Sequence, residues 1–450
     1  MKKIILYYPQ IYDGGDSKPL YTGIPLSVLT LTTQLPQNEY EFIVIDGRIE
    51  NSIEEKLAEN ITDDTICLGI SALTSYQIKD GLDIAQKTRH INPKLPVVWG
   101  GWHPSLMPDQ TISHDLVDIV VRGQADITFP KLVRQLEARG DLSEIDNIIY
   151  KDKKIIKTEL QPLGDLNGLQ PIQLSYDTVN LSRYIQPLWG NEKVIGYESS
   201  RGCPWRCSFC SIGSVYNRRW HGLSADHVAQ GVEYLVAHHD IDAIHFFDNN
   251  FFVNHKRAMA FCSQLIEKKI KINWDGTGVV KQFLEYSHDD IMLLKKSGFY
   301  RIILGIESGD EGVLKRINKQ HNREQVIEVV KKCNKYSILP SLSFMLGFPW
   351  NPEEDVVETL TLIEDIKKIT PQAEILLFIF SPYLGTELFD VALDYGMEFP
   401  KTLEEWADHT YDKVNIPWLS DKLIRKINRY ISFFGTREMS TNVKNFLQQS

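Results

Sequence analysis

Two series of short apolar runs, each run followed by a stretch of helical period, organise this chain. The first series falls at residues 4–8, 42–45, 66–70, 97–99 and 117–121. Unbroken runs rich in β-branched residues and spaced by helices predict a parallel sheet covered on both faces. Each run ends in a polar or glycine turn: Asp46-Gly47, Ser71, Gly100-Gly101 and Arg122-Gly123. In an open α/β sheet those ends form the rim where a ligand sits, and glycine lets backbone amides approach a bulky or phosphate-bearing molecule. Taken singly, each also reads as a tight turn. The second series falls at residues 194–198, 243–247, 272–274, 302–306, 342–346 and 375–380. Between these runs, Val228, Val232, Leu235 and Val236 share one helical face. Asn351-Pro352-Glu353-Glu354-Asp355 reads as a cap, a first-turn proline and acids at the positive dipole end. Val356, Leu360 and Ile363 continue that helix. Six β/α units in a row predict an incomplete barrel with its chemistry at the strand C-termini. Residues 141–190, with Pro162, Pro171 and Pro187, lose the alternation and read as a connector with a hairpin or two. Residues 391–450 form a helical tail containing Trp406, Trp418, Tyr430, Phe433 and Phe434, which either covers the barrel mouth or packs on its outer helices.

Composition narrows the class. A length of 450 residues fits two to four domains, and 43% hydrophobic with 24% charged residues is the balance of a globular protein. Lysine plus arginine total 49 against 59 acids, a net charge of −10, which argues against a nucleic-acid partner. No apolar run approaches the ~20 residues of a membrane span, and the start enters a strand pattern with no cleavable leader. The expectation is a cytoplasmic protein without nucleic-acid or membrane partners. Six cysteines are too few for a disulfide scaffold, yet three of them crowd between Cys203 and Cys210. Cys67, Cys262 and Cys333 stand in apolar or helical contexts and read as buried small hydrophobes.

The crowded segment is Glu198-Ser199-Ser200-Arg201-Gly202-Cys203-Pro204-Trp205-Arg206-Cys207-Ser208-Phe209-Cys210, spaced C-x3-C-x2-C, on a loop after the first barrel strand. Thiolates are soft ligands for zinc, copper(I) and iron–sulfur centres. Three without a fourth can hold a cubane cluster and leave one metal open for chemistry. A zinc site with His221 as fourth ligand, and three unrelated thiols, are the competing readings. The unequal spacing departs from the paired C-x2-C of zinc ribbons. Arg201 and Arg206 are expected to favour the thiolate form.

This trio, Cys203, Cys207 and Cys210, resembles the signature of radical SAM enzymes. The resemblance implies a four-iron four-sulfur (4Fe-4S) cluster whose free iron chelates S-adenosylmethionine (SAM). Phe209 matches the aromatic position beside adenine. Asp248-Asn249-Asn250 matches the segment holding the methionine amine, and Gly305-Ile306-Glu307-Ser308-Gly309 the ribose and carboxylate segment. Gly347-Phe348-Pro349 resembles the adenine loop, and Ser381-Pro382-Tyr383-Leu384-Gly385-Thr386 a segment of cobalamin-containing members. The first α/β unit is similar to a Rossmann-like cobalamin-binding domain. The residues that carry this likeness are Ser71, Thr74 and Ser75 after the third strand, Gly100, Gly101 and His103 after the fourth, and Gly123 and Gln124 after the fifth. Two features depart from that family. Arg48 stands where many cobalamin proteins place a cobalt-binding histidine, and Gln124 and Asp126 replace two glutamates.

The resemblance implies four parts: a cobalamin-binding domain at 1–140, a connector at 141–190, a partial (β/α)6 TIM-type barrel at 191–390 and a helical region at 391–450. It implies reductive cleavage of SAM to a 5′-deoxyadenosyl radical and methylation of an unactivated carbon of a small molecule. The electron would come from flavodoxin or ferredoxin. A cyclase, dehydratase or rearrangement enzyme, whose first domain binds cobalamin for another purpose or binds none, is the alternative, and a zinc-stabilised binding protein is a third. Tyr216, Arg218, Arg219 and Trp220 either face the substrate or pack as a loop.

Overall fold

The structure is a computed structural model, described for residues 1–11, 22–409 and 415–435. Its strands are β1 (Lys2–Tyr8), β2 (Tyr40–Asp46), β3 (Thr65–Ser71), β4 (Val97–Gly100), β5 (Ile119–Val121), β6 (Ile148–Asp152), β7 (Lys154–Lys157), β8 (Gln186–Leu188), β9 (Asn191–Tyr197), β10 (Ser200–Gly202), β11 (Trp220–Gly222), β12 (Ala243–Phe246), β13 (Asn273–Gly278), β14 (Phe299–Glu307), β15 (Leu339–Leu346) and β16 (Glu374–Ile379).

The first sheet has the order β2-β1-β3-β4-β5-β6-β7, parallel through β5. Alternate residues bury on opposite faces: Ile5, Tyr7, Leu68 and Ile70 on one, Ile4, Leu6, Cys67 and Val98 on the other. That two-sided burial is why the strands read as unbroken apolar runs. The strand order reverses at β1 and β3, which opens a crevice beyond their C-terminal ends. The hairpin β6–β7, from the connector, adds antiparallel to β5.

The second sheet has the order β16-β15-β14-β13-β12-β9-β8. Its six strands β9 and β12 to β16 are parallel, β8 pairs antiparallel with β9, and the sheet does not close. Phe246, Trp274, Ile302 and Leu377 point outward into the helical layer and form the larger core. The inward positions of β13, Asp275 and Thr277, carry no apolar signal. For that reason the strand, which runs from Asn273 to Gly278, shows in the sequence only as the 272–274 run.

Three other elements depart from the sequence pattern. The β10–β11 hairpin, three residues per strand, is too short to show a period. Asn351 adopts φ +52° and makes no side-chain cap bond, so proline and acids alone start the helix Pro352–Ile369. The tail divides between the two units. Helix Leu403–Ala407 sits on the first unit, where the Trp406 indole donates to Gln110 Oε1 at 2.7 Å. Helix Asp421–Gly435 covers the edge strand β16 and adds Leu423, Ile427, Tyr430 and Phe434 to the barrel core. Among the described residues no helix is long and apolar enough to cross a membrane.

Candidate active site

The three cysteines lie on the loop between β10 and β11, unpaired and half-buried. The loop is pinned at several points. Gly202 N–H donates to Asn249 Oδ1 at 3.0 Å, and Gly202 has φ +82° where a Cβ would fall 2.0 Å from the Arg219 carbonyl oxygen. Only glycine fits there. Ser208 N–H donates to the Ile317 carbonyl at 3.1 Å, Asn318 Nδ2 to the Arg206 carbonyl at 2.7 Å, and Leu388 N–H to the Ser208 carbonyl at 3.2 Å. Burial raises all three thiols, that of Cys210 to about 11, and the nearby Lys319 opposes it. Without metal they are protonated, so binding a metal releases protons.

Lys319 is the residue the sequence did not reveal. Its buried ammonium lies 2.7 Å from Glu307 Oε1 and 5.4 Å from the centre of the Phe209 ring. The pair sits over Gly305, where a Cβ would fall 2.3 Å from Glu307 Oε1. Glu307 itself adopts φ +74° at a register shift in β14, which turns its carboxylate back over the inner face. Arg201, by contrast, does not serve the thiols as expected. Its guanidinium turns away to Glu198 Oε2 at 2.7 Å and to Asp126 of the first unit.

Asp248 is fully spent within the fold. It accepts from Ser199 N–H and Oγ–H, both at 2.7 Å, and from Ser200 Oγ–H, with Arg257 donating to Ser199 beside it. It therefore cinches the turn from β9 into the cysteine loop. Asn250 Oδ1 accepts from Phe252 N–H at 3.1 Å while its amide donates to Gln282. Ser308 and Gly347 meet on one group: Asp355 accepts from Ser308 Oγ–H at 2.6 Å and from Gly347 N–H at 3.0 Å. Asp355, read as a helix-start acid, is completely buried, and burial pushes its carboxyl up to about 6. Gly347 has φ +86°, and its carbonyl accepts from the Trp418 indole at 2.9 Å; Pro349 is buried in the same turn.

A cavity of about 460 Å³ opens between the rim of the first sheet and the start of the barrel. Tyr8, Arg48, Ser71, Gly101, Gly123, Gln124 and Asp126 line one side; Glu198, Arg201, Tyr216 and Phe247 line the other. A slot of about 40 Å³ continues among Ser27, Gly69, Gly100 and Phe129. Gly101 has φ +98°, and a Cβ there would lie 2.8 Å from the Ala72 carbonyl oxygen. Gln124 Oε1 accepts from Gly164 N–H at 2.8 Å, leaving its buried Nε2 without a partner. Arg48 donates to both Asp46 oxygens, at 2.9 and 2.7 Å, and to the Gly23 carbonyl at 2.7 Å, over the ring of Tyr8.

Thr74, Ser75 and His103 do not line this cavity. Thr74 Oγ1 meets His103 Nδ1 at 3.1 Å. Ser75, at φ +96°, precedes the helix Tyr76–Ile91. His103 is wholly buried against Trp406, and burial pushes its pKa down to about 4, so it is a neutral core histidine. Of the loop residues, Tyr216 faces the cavity, Trp220 packs with Arg257, and Arg218 pairs with Glu387 at the surface.

Residues 197–363 match the model of the radical SAM superfamily, and residues 16–133 that of the B12 binding domain. An uncharacterized methyltransferase of Pyrococcus horikoshii is 28% identical over 96% of this chain and 92% of its own length. An anaerobic magnesium-protoporphyrin IX monomethyl ester cyclase of Synechocystis sp. is 24% identical over 80% of this chain and 71% of its own. The solved radical S-adenosylmethionine methyltransferase TsrM of Kitasatospora setae shares the fold, with a TM-score of 0.70 at 15% identity, over 89% of this chain and 78% of that one.

Proposed function

Because the chain belongs to the radical SAM superfamily and carries a B12-binding domain ahead of its barrel, we propose that it methylates an unactivated carbon of a small molecule. One observation carries this reading: Arg201, in the wall of the inter-domain cavity, stands two residues before Cys203, so the thiol loop and the cavity share a rim. When bound, the cluster supplies the electron that splits SAM into methionine and a 5′-deoxyadenosyl radical, and cobalamin carries the methyl group that the substrate carbon accepts.

On this reading Cys203, Cys207 and Cys210 hold three irons. Lys319 takes the SAM carboxylate, Glu307 faces its ribose with Ser308 held behind it on Asp355, and Phe209 lies beside the adenine, with Gly347 and Pro349 in the turn that supports it. Asp248, Asn249 and Asn250 shape the loop on which the methionine end rests. Ser71, Gly100, Gly101, Gly123 and Gln124 cradle the corrin and its tail, the free Gln124 amide donating to a corrin amide or the tail phosphate. Thr74, Ser75 and His103 support that rim from behind. Arg48, cationic and anchored to Asp46, offers cobalt no lone pair. The cobalamin-binding unit is residues 1–140, with the connector hairpin β6–β7 extending its sheet, and the barrel is 191–390.

Arg206, within the cysteine loop, and Lys315 and Arg316, at the end of the helix Glu311–Arg316 whose last carbonyl accepts from Ser208 Oγ–H, are exposed, and none is paired with a carboxylate among the described residues. That face suits an acidic one-electron donor such as flavodoxin or ferredoxin, in a reducing cytoplasm.

Anaerobic incubation with SAM and reductant should give 5′-deoxyadenosine, and S-adenosylhomocysteine should accompany it once substrate is present. Cys207→Ser should abolish both. Sustained 5′-deoxyadenosine without S-adenosylhomocysteine would instead assign the non-methylating chemistry that the cyclase relative represents.

A further inference from the structure

Strand register fixes which side chains face the inside of the barrel. His245 pairs with Asp275, and Asp275 with Arg301; Thr277 pairs with Ile303, Ile303 with Ser341, and Ser341 with Glu374. Above these rows lie Gly305, Ser343 and Leu376, then Met345 and Phe378. Directly paired residues of a parallel sheet share a face, so Leu376 and Phe378 stand on the same inner wall as Glu374. Their neighbours Ile375 and Leu377 point outward into the helical core.

The floor of this lumen is polar and closed upon itself. Arg301 donates to Asp275 at 2.8 Å, to Glu374 at 2.8 Å and to Ser341 at 3.0 Å, and it lies 4.0 Å from the Trp189 ring centre. The other inward cation, Lys319, belongs to Glu307 and the SAM site. No inward-facing cation remains over for a phosphate or a polycarboxylate among the described residues.

The wall above that floor is apolar and open. Leu376 is 40% exposed and Phe378 52%, although both sit inside the barrel, and Tyr383, 61% exposed, follows on the loop beyond β16. Phe247, on the facing strand end, reaches the inter-domain cavity. A row of large apolar side chains left in water along the inner wall of a reaction chamber marks the place where a ligand covers them.

From this we infer that the substrate is an uncharged, largely apolar molecule with a broad ring or alicyclic face, seated on Leu376, Phe378 and Tyr383 with the reacting carbon turned toward the cysteine loop. The inference rests on the proposed radical SAM reading and names the substrate class of that site. Ser343 and Ser341, in the neighbouring rows of the same wall, accept neutral polar groups; an anionic substrate would meet Glu374 and find no partner.

The neutral fluorophore N-phenyl-1-naphthylamine tests this on the anaerobic holoenzyme with cluster, cobalamin and SAM in place. One saturable site is expected. Its affinity should fall at least tenfold in Phe378→Glu and in Leu376→Glu. It should hold in Val357→Glu, an equally exposed apolar position on the outer helix Pro352–Ile369. Unchanged binding in both lumen variants would overturn the proposal, as would a dimer that the lumen variants dissolve, since a second copy would then cover the wall. Substrate-independent formation of 5′-deoxyadenosine with a chemical reductant, measured in the parent holoenzyme and in Val357→Glu, reports on the radical SAM reading separately, and the cluster chromophore shows that each variant is folded.

Discussion

The guanidinium of Arg201 and the carboxylate of Asp126, 75 residues apart in the chain, form a buried ion pair that ties the cysteine loop of the barrel to the rim of the first sheet. Although burial pushes the other way, Arg201 holds the Asp126 carboxyl below its ordinary value. Both side chains line the inter-domain cavity, so the pair sets the width of that cavity.

Removing Arg201 strands the Asp126 charge without water, while removing Asp126 leaves Arg201 only Glu198. Arg201→Met or Asp126→Leu alone should each cost about 3–5 kcal/mol, seen as a lowered unfolding midpoint. Each should also release bound cobalamin, measured by its absorbance after gel filtration. The double variant should lose less than the two single losses added together, because neither charge of the pair is then left alone, although Glu198 still lacks its cation. A loss in the double variant equal to the sum of the two single losses would show that the pair contributes nothing of its own.

Lys319 offers a second measurement. Lys319→Met removes a charge-assisted contact worth about 1.5–3 kcal/mol, so KM for SAM should rise roughly ten- to a hundredfold. The cluster spectrum should stay intact and kcat should change less. A variant that loses the cluster instead would assign the lysine to folding of the thiol loop.

Asp355 ties the Ser308 and Gly347 loops together, and it titrates in an accessible range. Its carboxyl rises from 3.8 to about 6 on burial. Between those values it is protonated in the folded chain and ionised in the unfolded one, so unfolding releases a proton and becomes easier as pH climbs. Its contribution to stability should therefore fall by about 2 kcal/mol from pH 4 to pH 6 and level off above about pH 7. Asp355→Asn, compared with the parent by denaturant unfolding at several pH values, should lack that segment of the slope.

The exposed trio Arg206, Lys315 and Arg316 predicts a dependence on the electron source. Charge reversal to glutamate at all three should slow 5′-deoxyadenosine formation driven by reduced flavodoxin by tenfold or more. It should leave the rate with titanium(III) citrate unchanged, because a small reductant needs no docking surface. Equal slowing with both reductants would remove this face from consideration.

Much of this protein was already determined by the order of residues along the chain. Strands of the first sheet are buried on both sides, so residues 4–8 and 66–70 are apolar throughout and need no partner to be recognised. The spacing of Cys203, Cys207 and Cys210 is local, and a single loop presents all three. What the tertiary structure alone decided is pairing across distance. Arg201 looked like a cation for the thiols and serves Asp126 instead, while Lys319 fills that place from beyond β14. Asp355 reads as an ordinary first-turn acid until the fold buries it between two loops. The inner rows of the barrel carry mixed residues with no period of their own, because their environment is set by neighbouring strands; register alone turned Leu376 and Phe378 into one wall.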